Sequence, residues 1–227
     1  MKFQESGLPA RKEIGTLMGH AANEDLVDVL AGEPMPSDEE LAARAIAGER
    51  DAFAAIYQRY HVAIYRFARA MTGSPTLAED VTQETFVELI RTVARYDAER
   101  GPLRTYVYAI ARNVSRYRLR RERRFVELDP AVHEPRTSLD PAHPIIQSQT
   151  VARVRLFIRA LPSRYREVLV LCDLQGLSYE EAAAVIRAPV GTVRSRLHRA
   201  RQQLAERLAK ADTIPASVTQ RPRTCLI

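Results

Sequence analysis

A chain of 227 residues, 46% apolar and 27% charged, is long enough for one large folded unit or two small ones and too apolar for general disorder. Its net charge of +6 is unevenly spread: arginines crowd into 112–124 and 187–207, acids into 24–40 and 80–88. Two basic blocks in an otherwise balanced chain point to a polyanion gripped at two places, most simply nucleic acid. The 7% aromatic content and the absence of Trp suit helical bundles more than β-sandwiches, so an all-α fold is expected. Cys172 and Cys225 make no metal spacing with the five histidines, so neither metal, cofactor nor disulfide is expected. No apolar run reaches signal-peptide or membrane-spanning length, and the expected setting is the cytoplasm without membrane insertion.

Residues 1–36 read as a flexible extension, with one short helix capped near Asn23-Glu24-Asp25 and ended by Gly32, Pro34 and Pro36. Ser37 with Glu40 is a capping box, in which side chain and backbone amide satisfy each other at a helix start. From Asp51, the residues Phe53, Ile56, Tyr60, Ile64, Phe67 and Met71 keep helical spacing up to the breaker Gly73-Ser74-Pro75. Thr76 with Glu79 reads as another capping box. The helix after it is two-sided: Val81, Phe86, Leu89, Ile90 and Val93 on one face, Asp80, Gln83, Glu84, Glu88 and Arg91 on the other. That acidic ridge is either a solvated face or a dock for a basic surface, and spacing does not choose.

Residues 96–102 form a polar loop with Asp97, Glu99, Arg100 and Gly101. The following helix turns Tyr106, Val107, Ile110 and Val114 inward and sets Arg112, Asn113, Arg116, Tyr117, Arg120 and Arg124 along its other side. Aromatics beside Arg and Asn suit single-stranded nucleic acid, where bases stack at about 1–3 kcal/mol each and a basic groove follows the backbone. A core aromatic set under a solvated basic face is the alternative, and for the tyrosines taken alone it is the better reading. Residues 125–148 hold Pro130, Pro135, Pro141 and Pro144 among mostly acidic charges, the composition of an acidic linker between two helical units.

After the linker, Val151, Val154, Ile158 and Leu161 define a helix, and Ser163 is expected to cap the next, which carries Val168, Leu169, Leu171, Cys172 and Leu174. Gly176 can close that helix in the left-handed conformation, and Ser178 with Glu181 makes a capping box for a new one. Pro189 ends it, and a last helix starts near Val190 or Gly191. Two short helices joined by a tight turn describe a helix-turn-helix. In the last helix Val193, Leu197, Ala200, Leu204 and Leu208 form one apolar stripe, and Arg194, Ser195, His198 and Arg199 lie outward. Such a face suits the DNA major groove, where guanidinium groups meet guanine edges and phosphates. The tail, 211–227, carries no usable pattern.

Three stretches together resemble a known family. Ala-Glu-Asp-Val-Thr-Gln-Glu-Thr-Phe at 78–86, Thr-Tyr-Val-Tyr-Ala-Ile-Ala-Arg-Asn at 105–113, and Pro-Val-Gly-Thr-Val-Arg-Ser-Arg-Leu from 189 are similar to segments of bacterial RNA polymerase sigma factors of the extracytoplasmic-function group, the two-domain branch of the sigma-70 family. The resemblance implies a region 2-like helical domain at 37–124, a linker at 125–148 and a region 4-like helix-turn-helix domain at 149–210. It implies that Asp80, Gln83 and Glu84 dock on the clamp of core polymerase. It implies that Arg100, Tyr106, Asn113, Arg116 and Arg120 approach the unpaired downstream promoter strand, with the loop 96–103 accepting an unstacked base. Arg194, Ser195, His198 and Arg199 would face the upstream duplex. The implied partners are core polymerase (clamp and flap), promoter DNA and an anti-sigma factor, and the implied regulon is stress- or signal-responsive. Many relatives carry Trp where Tyr106 stands, and Gly is frequent where Arg187 stands, so the backbone at that turn is expected to differ.

Nothing in the sequence looks like a catalytic site: there is no Gly-rich phosphate loop, metal spacing or nucleophile constellation. The expected protein is not an enzyme but lends promoter specificity to one. The alternatives are a stand-alone helix-turn-helix regulator, which would bind a duplex tightly without polymerase, and a sigma-like decoy, which would be expected to lose its basic reading face.

Overall fold

The computed structural model describes residues 36–128 and 145–213, and among them the chain is helical with no strand. The short helix expected in the head, the middle of the linker and the tail beyond residue 213 lie outside the described residues. Helix α1 is Asp38–Ile46, α2 Arg50–Thr72, α3 Pro75–Thr92 and α4 Leu103–Leu128. In the second half, α5 is Ile145–Arg159, α6 Ser163–Leu169 running on into a π-turn at Val170–Leu174, α7 Tyr179–Ile186 and α8 Val190–Thr213.

The local signals act as chemistry requires, with two exceptions. At Ser37 and Ser178 both halves of the capping box are made, Ser178 Oγ accepting from Glu181 at 3.0 Å while Glu181 accepts from the Ser178 amide at 2.7 Å. Gly73 ends α2 with φ 77°, a conformation open to glycine without steric cost. Helix α3, however, starts before the expected Thr76 box: Ser74 is the cap, accepting from the Leu77 amide at 3.3 Å, and Pro75 occupies the first turn. Proline is suited there because its missing N–H would have had no partner. Likewise Ser163 does not cap α6, because Pro162 holds the cap position and no side-chain cap is made.

The cores are built from the expected stripes. Ile56, Ile64, Phe67 and Met71 of α2 meet Val81 and Leu89 of α3 and Val107 and Ala111 of α4, all nearly solvent-free. Val154, Ile158, Leu161, Val168, Val193, Leu197 and Leu204 make the corresponding core of the second half. Ile90 departs from its expected place and is 58% exposed. It sits roughly 100° round the helix from buried Leu89, just past the edge of the stripe formed by Val81, Thr85 and Leu89.

The two halves also touch. Along α4, Arg104, Tyr108, Arg112 and Arg116 recur every four residues and so share one face. Arg104 donates to the Gln175 carbonyl and Tyr108 to the Gln175 side chain at 2.9 Å. Arg112 Nε lies 3.1 Å and Arg116 Nε 3.7 Å from the buried Glu167 carboxylate of α6. From the other side Arg166 donates to the Met71 carbonyl at the end of α2, at 2.7 Å. Arg112, expected on an exposed basic face, is therefore buried. Its charge is tolerated there because Glu167 neutralises it.

Candidate nucleic-acid and partner interfaces

On α3, Gln83 is exposed and Asp80 and Glu84 are half-buried. Both carboxylates are covered by an arginine of the same half: Arg118 of α4 donates to Glu84 at 2.6 Å and lies 3.9 Å from Asp80. The ridge continues into exposed apolar surface at Val87 and Ile90. Sequence reasoning missed Arg118. It could have been suspected only by knowing that α3 and α4 lie side by side.

On α4, Asn113, Arg116 and Arg120 are exposed, and Arg120 donates to the Arg116 carbonyl at 3.2 Å. Arg100 stands in solvent at the end of a 3₁₀ turn, 3.4 Å from Asp97. Tyr106 is placed differently from these. Its hydroxyl donates to the Thr92 carbonyl at 2.9 Å and its ring lies 5.6 Å from that of Tyr96, so it is half-buried against the loop. The loop itself is ordered by its own bonds: Tyr96 donates to the Gly101 carbonyl at 3.2 Å, and Asp97 accepts from the Glu99 amide at 3.0 Å. The exposed aromatic on this face is Tyr117, 54% exposed.

In the second half the turn between α7 and α8 needs a left-handed residue, and Arg187 supplies it with φ 54° and ψ 54°. The turn thus keeps the backbone a glycine would give, contrary to the expectation of a difference. The cost of roughly 1–2 kcal/mol for a residue with a Cβ there is set against the Ala188 amide bonding the Ala183 carbonyl at 3.0 Å. Val193, Leu197, Ala200 and Leu204 anchor α8 inward, and Arg194, Ser195, His198 and Arg199 all face out. The Arg194 guanidinium rests 5.7 Å over the Tyr179 ring, and Ser195 donates back to the Thr192 carbonyl at 3.1 Å. Arg201, in the same basic run, is committed inward: it binds Asp173 with two bonds of 3.0 and 2.6 Å, and that carboxylate raises its pKa.

Among the described residues no group of three or more His, Cys, Asp or Glu could hold a metal, and no helix is long and apolar enough to cross a membrane.

This arrangement agrees with known proteins. Residues 56–125 match the family model for sigma-70 region 2, and residues 152–204 that for sigma-70 region 4. The RNA polymerase sigma factor CnrH of Cupriavidus metallidurans is 33% identical over 76% of this chain and 94% of its own length. The chain belongs to the sigma-70 family. It is an RNA polymerase sigma factor, a protein that directs transcription initiation. SigW of Bacillus subtilis, a sigma factor of the extracytoplasmic-function group, is 32% identical over 71% of the chain and 91% of SigW, so the chain belongs to that group. SigE of Mycolicibacterium smegmatis is 37% identical over 65% of the chain, and that match spans 58% of SigE. Among solved structures, CnrH in complex with the cytosolic domain of CnrY is 32% identical with a TM-score of 0.60, covering 78% of this sigma factor and all of that chain. RpoE with the anti-sigma factor NepR from Bartonella quintana is 26% identical with a TM-score of 0.60, covering 69% of this chain and 96% of that one.

Proposed function

We propose that this sigma factor divides promoter recognition between two separate basic faces and reserves α3 for polymerase. Residues 37–124 act as the region 2 domain and 149–210 as the region 4 domain, with 125–148 as the linker. Asp80, Gln83 and Glu84 dock on the clamp of core polymerase, and the exposed Val87 and Ile90 extend the contact. Asn113, Arg116 and Arg120, with Arg100 and Tyr106 at the loop, meet the unpaired downstream strand. Arg194, Ser195, His198 and Arg199 meet the upstream duplex. The observation that carries this reading is the geometry of α8: a capped helix-turn-helix holds its stripe inward and four polar side chains outward.

The energetics favour keeping these faces on one chain. A good Arg–guanine pair discriminates by about 1–3 kcal/mol, and unstacking a base costs a few kcal/mol. One pocket cannot open a duplex unaided, so the contacts of the whole holoenzyme must offset that cost. The protein itself is not an enzyme; the chemistry is that of polymerase. Its setting is the cytoplasm. An anti-sigma factor is a further partner, since RpoE was solved with the anti-sigma factor NepR bound.

Reconstituted transcription with core polymerase on a promoter library tests the reading. Arg194→Ala is expected to lower preference for the cognate upstream element by about 5- to 150-fold, with core association unchanged in a pull-down. Asp80→Arg is expected to lose core association. Wild-type promoter choice by the first variant and wild-type retention of the second would overturn the assignments.

A further inference from the structure

Where the start of α6 meets α8, Arg164, Tyr165, Ser195, Arg196 and Arg199 line an open cavity of about 290 Å³. That is roughly ten times the ~30 Å³ share of one liquid water, so a group larger than a water can enter. Tyr165 is buried, and the Arg164 guanidinium lies 4.9 Å over its ring. Arg199 lines the same cavity from α8, and the guanidiniums of Arg199 and Arg164 hold that phenol below its ordinary pKa. Guanidiniums stabilise the phenolate form of a tyrosine as they would any nearby oxyanion.

The charge balance of this cavity differs from that around several single arginines of the molecule. Arg59, Arg112, Arg118 and Arg201 each meet a carboxylate: Asp38, Glu167, Glu84 and Asp173 respectively. No acid lines the cavity between α6 and α8, although three arginines do. Like charges gathered around a cavity repel one another, and an oxyanion with several acceptor oxygens converts that repulsion into charge-assisted bonds.

We infer that Arg164, Arg196, Arg199 and the Tyr165 hydroxyl form a clamp for one phosphodiester group of the upstream DNA backbone. This rests on the reading of α8 as the duplex-facing helix, because Ser195 and Arg199 belong both to the cavity and to that outward face. Arg199 then positions the protein on the backbone, and sequence discrimination falls to Arg194, Ser195 and His198. Phosphate contacts fix register without carrying sequence information. The clamp also places α6, an element with no part in the helix-turn-helix itself, at the DNA.

The test uses holoenzyme assembled from the full chain and core polymerase. Affinity is measured over a salt series for duplexes with the cognate and with a scrambled upstream element. Arg164→Ala, at an exposed position, is expected to weaken both duplexes by a similar factor, on the order of tenfold, and to reduce the slope of log K against log[salt] by about 1. Arg199→Ala is expected to do the same, whereas Arg194→Ala narrows the ratio between cognate and scrambled. If Arg164→Ala changes neither affinity nor slope while Arg194→Ala narrows the ratio, the clamp is wrong and the reading of α8 stands. If neither variant has an effect, that reading fails and the clamp with it. Inorganic phosphate is the competing source of the same chemistry. Thermal stabilisation by inorganic phosphate that Arg164→Ala abolishes, with DNA binding unaltered, would mark a free-phosphate site and overturn the assignment.

Discussion

Tyr108 shows how much a single side chain carries. Its ring is almost completely buried, 5.6 Å from and edge-on to Phe67, and its hydroxyl reaches out of α4 to Gln175. Burial pushes its pKa up to about 12, with Arg104 drawing it partway back. Because the folded value lies above the unfolded value of about 10, the stabilisation is complete below pH 10 and is lost as pH rises through 12. Tyr108→Phe removes this titration. Denaturant unfolding should find the variant about 1 kcal/mol less stable at neutral pH, for the lost hydrogen bond, yet less sensitive than wild type between pH 10 and 12. Identical alkaline slopes for the two proteins would disprove the assignment. Tyr60, also raised by burial and by its bond to Asp38, titrates in both and cancels from the comparison.

At the scale of elements, the caps and breakers decide where helices begin. Helix α7 is short, eight residues, and isolated helices of such length are not stable by propensity alone. Its capping box therefore matters more than it would on a long helix. Ser178→Ala should cost about 1 kcal/mol and lower the thermal midpoint, and a loss near zero would mean that packing alone sets the turn. The same kind of local signal made most of the architecture legible from residues. The stripes of α2 and α8 and the two serine boxes are properties of neighbouring positions, and all four stand as expected. What was not legible depends on a second element. Arg112 looks solvent-facing on a helical wheel and is buried because Glu167, fifty-five positions away, lies opposite it. Arg118 looks like part of a DNA-facing run and lies across Glu84. The outward face of α8 was readable, whereas the cavity shared with Arg164 and Tyr165 was not, since no pattern within either helix predicts their meeting.

For the whole molecule, the contact between the halves sets a group of polar bonds beside a shared apolar cluster. Gln175, Glu167 and the Met71 carbonyl accept from Arg104, Tyr108, Arg112, Arg116 and Arg166. Combining Arg104→Ala with Glu167→Ala removes an acceptor for two arginines and the donor to the Gln175 carbonyl. Small-angle scattering of the free chain should then give a larger radius of gyration than wild type at low salt. Equal values would show that the remaining contacts suffice to hold the halves together.

Glu167 holds one further implication. It belongs by sequence to the half that carries the helix-turn-helix, but the side chains it restrains, Arg112 and Arg116, project from the helix of the other half. If α4 meets the downstream strand as proposed, a geneticist collecting mutants that misread that element should recover changes at Glu167, more than fifty positions from the side chains it restrains.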